Sequence, residues 1–326
     1  MRSMKTLQHW VPNGAGWLVA LTQSFDPERL DPARRPVLIV PGYGMNSFIF
    51  SFHPRGTSLE SYLVEQGFEV WRVDLRASGD SIRQGGGESF SLEDLALVDL
   101  TVAVDAALER TRSTAKRVDV IGASLGGSLV LMHAVLRPDH KLGTLVAMGS
   151  PVRWVKVHPV LRALFLSPML VGLVRFRGAR RAAEVALPLA AKHLPWLLRV
   201  YLNPAASDVG AAREMVKTVE NPNRFINRQI ARWMHQRDLV VGGVNVSLGL
   251  QRLTTPLLCI VANGDGIVPL ETARFPYEQA GTADKGLLVV GTEEMTLAHA
   301  DLFVSDQAVE VVFRPIADWF LRHEAA

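Results

Sequence analysis

Residues 117–129, RVDVIGASLGGSL, decide the fold of this 326-residue chain. The segment begins with a short apolar run rich in valine and isoleucine, which is typical of a buried strand. A second apolar run of longer period follows the glycines and stops at Pro138, which is typical of a helix. The segment therefore predicts a strand, a tight turn at Ser124 and a helix.

Other short apolar runs have the same character as this strand and also end in glycine or charge. They are residues 36–44, 67–76, 142–150, 256–265 and 286–291. Near-continuous apolar strands favour a parallel sheet that is covered on both faces. Helical patterns lie between them, and one of these begins with Ser91 and Asp94 in capping-box spacing. The alternation predicts an α/β fold with a doubly wound, mostly parallel sheet.

The alternation of strands and helices stops after Ser150. Residues 151–250 are mainly helical in pattern and punctuated by proline, and a strand pattern then resumes. We therefore predict a core made of residues 1–150 and 251–326, with residues 151–250 inserted between two of its strands as a helical cap.

The predicted cap is basic, with 15 Lys and Arg against 5 Asp and Glu, while the rest of the chain carries a net charge of −7. Its basic residues are scattered singly among apolar ones, as on amphipathic helices, and no nucleic-acid motif accompanies them. We expect no nucleic-acid partner and expect peripheral membrane contact through the cap. Residues 163–174 form an uncharged apolar stretch of twelve residues. This is short of the ~20 that span a bilayer, so no transmembrane helix is predicted.

Cysteine and histidine usage limits the other classes of site. The single cysteine, Cys259, lies in an apolar run, which excludes an intramolecular disulfide and suits a reducing compartment. Because proline and glycine interrupt the apolar N-terminal segment, it does not read as an export signal, and we expect a cytoplasmic protein. The nine histidines are scattered and show no ligand spacing, so no metal site is predicted.

Gly122, Ser124 and Gly126 complete a G-x-S-x-G pattern at the predicted strand-to-helix junction. That junction is where a nucleophile elbow requires the pattern. If Ser124 adopts a positive φ, side chains two residues before and after it would collide across the bend. The strain would project the hydroxyl and leave the Leu125 amide at a helix N-terminus, where it can meet negative charge. An ordinary strand-to-helix turn is the alternative interpretation.

With this junction the chain resembles the α/β-hydrolase superfamily, and two later segments match its motifs. ANGDGIVP, residues 262–269, resembles the acid loop of the family and offers Asp265. AHADLF, residues 298–303, resembles the histidine loop and offers His299. The order serine, acid, histidine is that of the family. Asp238 and His323 are the weaker rivals for the two roles.

The oxyanion loop of the family is matched by PGYG, residues 41–44. By position, the amide of Tyr43 would be the second oxyanion donor beside that of Leu125, with Gly44 as the alternative. The resemblance implies that Ser124 attacks an acyl carbonyl, that His299 takes its proton and that Asp265 orients the imidazole. It implies no cofactor and no metal.

The resemblance favours a serine hydrolase of the esterase or lipase type, because an apolar cap over a serine suits a hydrophobic acyl ester. An acyltransferase is the alternative, because residues 67–76 and 91–109 are similar to polyhydroxyalkanoate synthases, which have a cysteine at the elbow. A non-catalytic protein that binds a hydrophobic ligand is the third hypothesis. Halide release and epoxide opening are disfavoured, because the related enzymes use an aspartate where this chain has Ser124.

Overall fold

A mostly parallel β-sheet organises the computed structural model, which describes residues 4–173 and 177–324. The strands are β1 (Lys5–Pro12), β2 (Trp17–Phe25), β3 (Val37–Val40), β4 (Val70–Asp74), β5 (Ile82–Arg83), β6 (Val118–Ala123), β7 (Leu142–Met148), β8 (Val240–Val241), β9 (Val244–Asn245), β10 (Leu257–Ala262) and β11 (Lys285–Val290). The sheet has the order β1-β2-β4-β3-β6-β7-β10-β11, and β5 pairs with β2. Every neighbouring pair from β4 to β11 along this order is parallel, whereas β1, β2 and β5 are joined by antiparallel pairing. The strands β8 and β9 form a separate hairpin.

Helices connect the strands and cover the sheet. They are α1 (Leu59–Glu65), α2 (Leu100–Arg110), α3 (Leu125–Leu136), α4 (Pro159–Leu164), α5 (Pro168–Leu173), α6 (Ala179–His193), α7 (Pro195–Leu198), α8 (Ala212–Met215), α9 (Arg224–Gln236), α10 (Val246–Gly249), α11 (Leu270–Ala273), α12 (Phe275–Gln279), α13 (Asp301–Val304) and α14 (Arg314–Arg322). The predicted α/β class with a mostly parallel sheet is confirmed.

Both faces of the sheet are buried, and the strand period of two assigns side chains to each face. In β3, Val37 and Ile39 belong to one hydrophobic cluster, and Leu38 and Val40 belong to the other. All four side chains are fully buried. This two-sided burial is why the strands read as continuous apolar runs instead of alternating ones.

The helix boundaries follow the local signals in the sequence. The Ser91 hydroxyl accepts a hydrogen bond from the Asp94 amide at 3.1 Å, and the Asp94 carboxylate accepts one from the Ser91 amide at 2.7 Å. This reciprocal capping box confirms the predicted helix start, and a π-helical turn, Asp94–Asp99, leads into α2. The helix α3 ends at Leu136, two residues before Pro138, as that proline requires.

The N-terminal strands β1 and β2 were not among the predicted strands. They pair in antiparallel register, with Lys5 opposite Phe25 and Pro12 opposite Leu18, and form one edge of the sheet. The first half of β2, residues 17–21, is a continuous apolar run like those of the predicted strands. Its second half is largely polar and buried, and there Gln23 hydrogen-bonds His9 of β1 and Glu69.

Residues 151–250 lie between two strands that are neighbours in the sheet. The strand β7 ends at Met148 and β10 begins at Leu257, and Leu257 pairs with Leu145 in parallel register. The intervening segment holds α4 to α10 and the hairpin β8–β9; we call it the helical insertion. Its division from the core as a cap domain remains a prediction. The predicted ranges also contain residues 1–3, 174–176 and 325–326, which are outside the described residues.

The apolar stretch 163–174 spans two short helices, the end of α4 and all of α5, apart from residue 174, which is outside the described residues. Across the described ranges, the helices all lack the combination of length and apolar character needed to cross a bilayer. The helix α6 has no buried side chain over its fifteen residues, in contrast to α9, whose Ile226 and Ile230 are buried.

Candidate active site

Ser124 lies in a strained turn at the end of β6, immediately before α3. Its φ is 52° and its ψ is −123°, a left-handed conformation that side-chain-bearing residues rarely adopt. A Cβ added to Gly122 would lie 2.4 Å from the Cα of Gly127, so this position excludes a side chain. A Cβ on Gly126 would lie 2.3 Å from the carbonyl oxygen of Val40. The expected collision of residues 122 and 126 across the bend therefore explains only part of the requirement for glycine. At Gly126 the side chain is excluded by the neighbouring strand β3.

Asp265 and His299 are in direct contact. His299 Nδ1 lies 2.6 Å from Asp265 Oδ2, and both side chains are almost fully buried. Asp265 follows β10, and its Oδ1 accepts hydrogen bonds from the amides of Ile267 and Val268, each at 2.8 Å. These amides fix the carboxylate. In the tautomer with its proton on Nδ1, the His299 imidazole donates to Oδ2 and leaves Nε2 as a proton acceptor.

The backbone of Ser124 contacts the end of β7, and the residue that follows this strand, Gly149, lies against the pair. The Ser124 amide donates a 2.7 Å hydrogen bond to the Met148 carbonyl, and Gly149 is the next residue. A Cβ on Gly149 would lie 3.1 Å from His299 Cε1 and 3.2 Å from Asp265 Oδ2. Among the described residues, no hydrogen bond joins the Ser124 hydroxyl to His299. The structure thus brings Asp265 and His299 into contact and bonds the Ser124 backbone to the residue before Gly149, and the catalytic roles of the three remain a prediction.

The loop after β3 lies against the serine. A Cβ on Gly42 would be 2.9 Å from the Cβ of Ser124, so only glycine allows this approach. The Leu125 amide opens α3, and in the described part of the chain neither it nor the amides of Tyr43 and Gly44 donate to a protein acceptor. These amides are available to an anion beside Ser124, and the choice between Tyr43 and Gly44 remains open.

A pocket opens beside this loop, with an empty volume of about 540 Å³, part of it open to solvent. Its apolar walls include Met45, Leu75, Phe90, Leu95, Leu129 and Ile226. The polar end is formed by Glu220, Asn221 and Asn223 of the helical insertion. The Tyr43 hydroxyl, which donates to Asn227, has a pKa raised by burial, so the ring of Tyr43 is a neutral wall of the site.

Glu220 joins three parts of the site and was not singled out by the sequence. Its Oε1 accepts hydrogen bonds from Asn46 Nδ2 at 2.6 Å and from the Gly79 amide at 3.3 Å. The same oxygen lies 3.3 Å from Arg180 Nη2 in α6. The Glu220 amide also donates to the Gly44 carbonyl at 2.8 Å. One residue of the insertion therefore holds the loop beside Ser124.

Asp301 holds the histidine loop to the helical insertion. This buried carboxylate accepts hydrogen bonds from the Ala298 amide at 2.7 Å, the Asn203 amide at 3.0 Å and the Ser207 hydroxyl at 2.6 Å. Burial raises the pKa of Asp301 to about 6. The loop that carries His299 is thus fixed from both sides, by Asp265 and by Asp301.

The rival residues make other contacts. Asp238 Oδ1 lies 3.2 Å from Arg153 Nε, and the other oxygen accepts from Asn245 at 2.9 Å. His323 Nε2 lies 2.7 Å from Oδ2 of Asp284, whose side chain is exposed. Within the described ranges, no group of three or more His, Cys, Asp or Glu residues is arranged to hold a metal ion. Cys259 is a buried free thiol whose burial raises its pKa to about 12.

A family model described as "Serine aminopeptidase, S33" matches residues 31–292 of the chain. The match includes the elbow and the Asp265 loop and ends before His299.

A curated relative is the poly(3-hydroxyalkanoate) polymerase subunit PhaC of Haloferax mediterranei. It is 22% identical over 314 residues, which is 87% of this chain and 58% of that protein. The chain therefore spans little more than half the length of this relative.

Solved structures of several hydrolases share the fold. A soluble variant of monoglyceride lipase from Saccharomyces cerevisiae, in complex with a substrate analog, matches with a TM-score of 0.66 at 14% identity, covering 99% of this chain and 96% of that one. The 2-hydroxy-6-oxo-6-phenylhexa-2,4-dienoate hydrolase of Rhodococcus sp. strain RHA1 matches with a TM-score of 0.61 at 17% identity, covering 99% and 100%. At these identities the likeness establishes the architecture of the sheet and its flanking helices.

Proposed function

The chain belongs to the serine aminopeptidase S33 family of α/β hydrolases, and from this membership we propose that it is a serine hydrolase that cleaves carboxylic esters with a hydrophobic acyl group. The observation that carries the proposal is the 2.6 Å contact between His299 and Asp265, beside a serine in a strained turn. Acyl transfer to a serine requires three groups, which are a buried carboxylate, an imidazole and a projecting hydroxyl.

In the proposed reaction, the Ser124 hydroxyl attacks the acyl carbonyl carbon and its proton passes to His299 Nε2. The Asp265 carboxylate stabilises the imidazolium through the Nδ1 hydrogen bond. The tetrahedral intermediate collapses as the alcohol leaves with that proton, and an acyl ester on Ser124 remains. Water then attacks this ester with the help of the same imidazole, which releases the acid and restores the serine.

The developing oxyanion would lie between the amide of Leu125 and that of Tyr43 or Gly44. The close approach of Gly42 to Ser124 supports this assignment, because it brings the loop to the position that a bound carbonyl oxygen occupies. Removal of one such donor typically costs about 10²- to 10³-fold in rate.

The pocket supports an apolar acyl group rather than a peptide amino terminus. Its walls are mainly aliphatic and aromatic side chains, which would bind a hydrocarbon chain. A free ammonium group would require an available carboxylate, whereas Glu220 of this pocket is already paired with Arg180 and bonded to Asn46. We therefore propose a medium or long acyl ester as the substrate.

Acyl transfer to an alcohol is the second candidate function. It is favoured by the similarity to the PhaC subunit over 87% of this chain. The chemistry would be the same as far as the acyl ester on Ser124, and a hydroxyl of an acceptor would then replace water. Supplying a hydroxyacyl acceptor during turnover distinguishes the two, because a transferase yields more transfer product than free acid.

The test of the hydrolase is fluorophosphonate labelling together with turnover of p-nitrophenyl esters from acetate to palmitate. We expect labelling of the wild type, its loss in Ser124→Ala, and the highest kcat/KM on a medium or long ester. The variant Ser51→Ala is the control, since the Ser51 hydroxyl bonds the Phe48 carbonyl away from the pocket. A wild-type protein that is neither labelled nor active on these esters would refute the hydrolase proposal. Tight ligand binding that Ser124→Ala leaves unchanged would instead favour a binding protein.

A further inference from the structure

A second cavity, which we call the basic cleft, is formed entirely by the helical insertion. It has an empty volume of about 1160 Å³, part of it open to solvent, and shares no lining residue with the pocket beside Ser124. None of its lining residues is acidic. Four of them are basic, and the others are apolar; the basic ones are Lys156, Arg162, His235 and Arg237. An anion with an apolar body would therefore meet complementary groups in the basic cleft.

Hydrogen bonds join the three segments that form the basic cleft. The Trp154 amide, in the segment after β7, donates to the Arg237 carbonyl at 2.9 Å. His235 Nε2, near the end of α9, lies 3.0 Å from the carbonyl oxygen of Leu166, which follows α4. Trp154 is buried in one hydrophobic cluster of the molecule, and Phe165 packs against the same cluster. The cleft therefore has basic and apolar walls that are tied to one another and to the core.

Two cations of the basic cleft are unpaired. Within residues 4–173 and 177–324, the side chains of Arg162 and Arg237 form neither an ion pair nor a hydrogen bond, and both residues are exposed. Lys156 Nζ lies 3.0 Å from a carboxylate oxygen of Glu271, but both side chains are exposed, so this pairing is weak. An unpaired guanidinium presents a planar set of N–H donors that matches the oxygens of a carboxylate or a phosphate.

The backbone of Arg237 supports a role for its side chain. Its φ is 66° and its ψ is −51°, a conformation that side-chain-bearing residues rarely adopt. The residue directly follows α9, where glycine is the favoured residue for a positive φ. The next residue, Asp238, is held by a β-bridge and an ion pair to Arg153. An arginine retained at a strained position between such fixed neighbours indicates a use for the guanidinium.

We propose that the basic cleft binds an amphiphilic oxyanion, which has a hydrocarbon body and a carboxylate or phosphate head. Arg162 and Arg237 bind the head, and the body lies along Phe165 and Leu166. A bare anion would leave the apolar walls unfilled, and an uncharged lipid would leave the guanidinium groups unpaired. The acid released by the proposed hydrolase has this composition, so the cleft would be a second site for the product. That link rests on the proposed function, whereas binding itself does not.

The test is isothermal titration calorimetry of the full-length Ser124→Ala protein, so that turnover plays no part. The probes are decanoate and decyl phosphate, with acetate and inorganic phosphate as heads alone and decanol as the body alone. We expect at least one of the two amphiphiles to bind about tenfold or more tightly than its head alone and than decanol. The tighter of the two amphiphiles identifies the head that the cleft takes.

Variants of the two unpaired arginines assign this binding to the basic cleft. Arg162→Gln combined with Arg237→Gln should weaken it about tenfold or more, and Arg162→Lys alone should retain most of it. Glutamine at position 237 has no special backbone preference, and the Arg162 side chain has no partner to lose, so both changes should leave the fold intact. The matched control is Arg181→Gln with Arg213→Gln, two exposed arginines of the insertion outside the cleft, and it should stay within about twofold of the parent.

The outcomes separate this site from the candidate active site. Equal binding by the cleft variant and the control would overturn the proposal and assign the amphiphile to another place, such as the pocket beside Ser124. Decanol binding as tight as that of decanoate and decyl phosphate, or no binding of either amphiphile, would also overturn it. A protein that loses amphiphile binding with the cleft variant, but whose wild type has no esterase activity, would refute the proposed function and leave this inference standing.

Discussion

Arg180 Nη2, at the start of α6, lies 3.3 Å from the carboxylate of Glu220. The oxygen that faces Arg180 also accepts the 2.6 Å hydrogen bond from Asn46, which belongs to the loop beside Ser124. The Arg180 guanidinium is half exposed, so the charge pair itself contributes little to stability. The importance of Glu220 therefore lies in positioning, because it connects an exposed helix with a loop of the candidate site.

Glu220→Ala is predicted to lower kcat for a short soluble ester more than it raises KM, because the loop that carries Tyr43 and Gly44 loses its support. We expect a loss of about tenfold to a hundredfold, comparable with the misplacement of one oxyanion donor. Glu220→Gln keeps an oxygen for Asn46 and should restore most of kcat, although it gives up the charge facing Arg180. The control is Glu214→Ala, an exposed glutamate that pairs with Lys217. An unchanged kcat in Glu220→Ala would show that the loop holds its position without this residue.

Gly149→Ala is predicted to disturb the His299–Asp265 pair directly. Its φ of +52° is unfavourable for alanine, and the new methyl group would lie 3.1 Å from His299 Cε1. The imidazole must shift, and a small misplacement of a catalytic group can cost about a hundredfold in kcat. Gly14→Ala is a matched control, because its φ is +72° but nothing lies within 4 Å of the added methyl. Both variants should lose about 1 kcal/mol of stability in urea unfolding, and only Gly149→Ala should lose activity.

Sequence patterns were sufficient for the parts of the molecule that depend on local constraints. The β6–Ser124–α3 turn needs glycine on both sides of the serine because backbone atoms of Gly127 and Val40 occupy the space of a side chain. The requirement at Gly122 comes from residues adjacent in the sequence and can be read from one chain, whereas the requirement at Gly126 comes from the neighbouring strand β3. Asp265 and His299 were found by their resemblance to family loops, and the structure joins them although 34 residues separate them.

The supporting contacts of the site could not be read from the sequence. Glu220 reaches Asn46 across 174 residues, and Asp301 reaches Ser207 across 94. Such pairs have no fixed spacing, and each partner alone resembles an ordinary polar loop residue. The polar second half of the strand β2 is a similar case, because the partner of its buried Gln23, Glu69, lies 46 residues away. When the hydrogen-bond partner of a buried polar residue is distant in the sequence, the residue resembles a surface residue in the sequence although it lies in the core.

Asp301 predicts a pH-dependent contribution to stability. Its carboxyl has a pKa of about 6 in the folded chain because it is buried, against an ordinary value of 3.8. The folded state therefore keeps this proton at pH values where the unfolded chain has lost it, and stability falls as the pH rises through that window. The contribution is on the order of 3 kcal/mol.

Asp301→Asn should remove this dependence while keeping an oxygen for the amides of Ala298 and Asn203. The difference in urea unfolding free energy between variant and wild type should then change between about pH 4 and 6 and be flat above. Asp306→Asn is the control, since Asp306 is exposed and pairs with Arg55. A difference that does not vary with pH would mean that Asp301 is ionised in the folded chain throughout.

Asp265→Asn tests the acid of the candidate site. The asparagine oxygen can still accept from the amides of Ile267 and Val268, so the loop should keep its conformation. Its amide group would then face His299 Nδ1 and, as a donor, favour the tautomer with the proton on Nε2. The imidazole could no longer accept the serine proton, and kcat should fall about 10⁴-fold with circular dichroism and unfolding unchanged. The rival acid provides the matched control, because Asp238→Asn keeps an oxygen for Asn245, weakens the pairing with Arg153 and should leave kcat within about twofold. If Asp238→Asn instead abolished turnover and Asp265→Asn preserved it, the acid of the site would have to be reassigned.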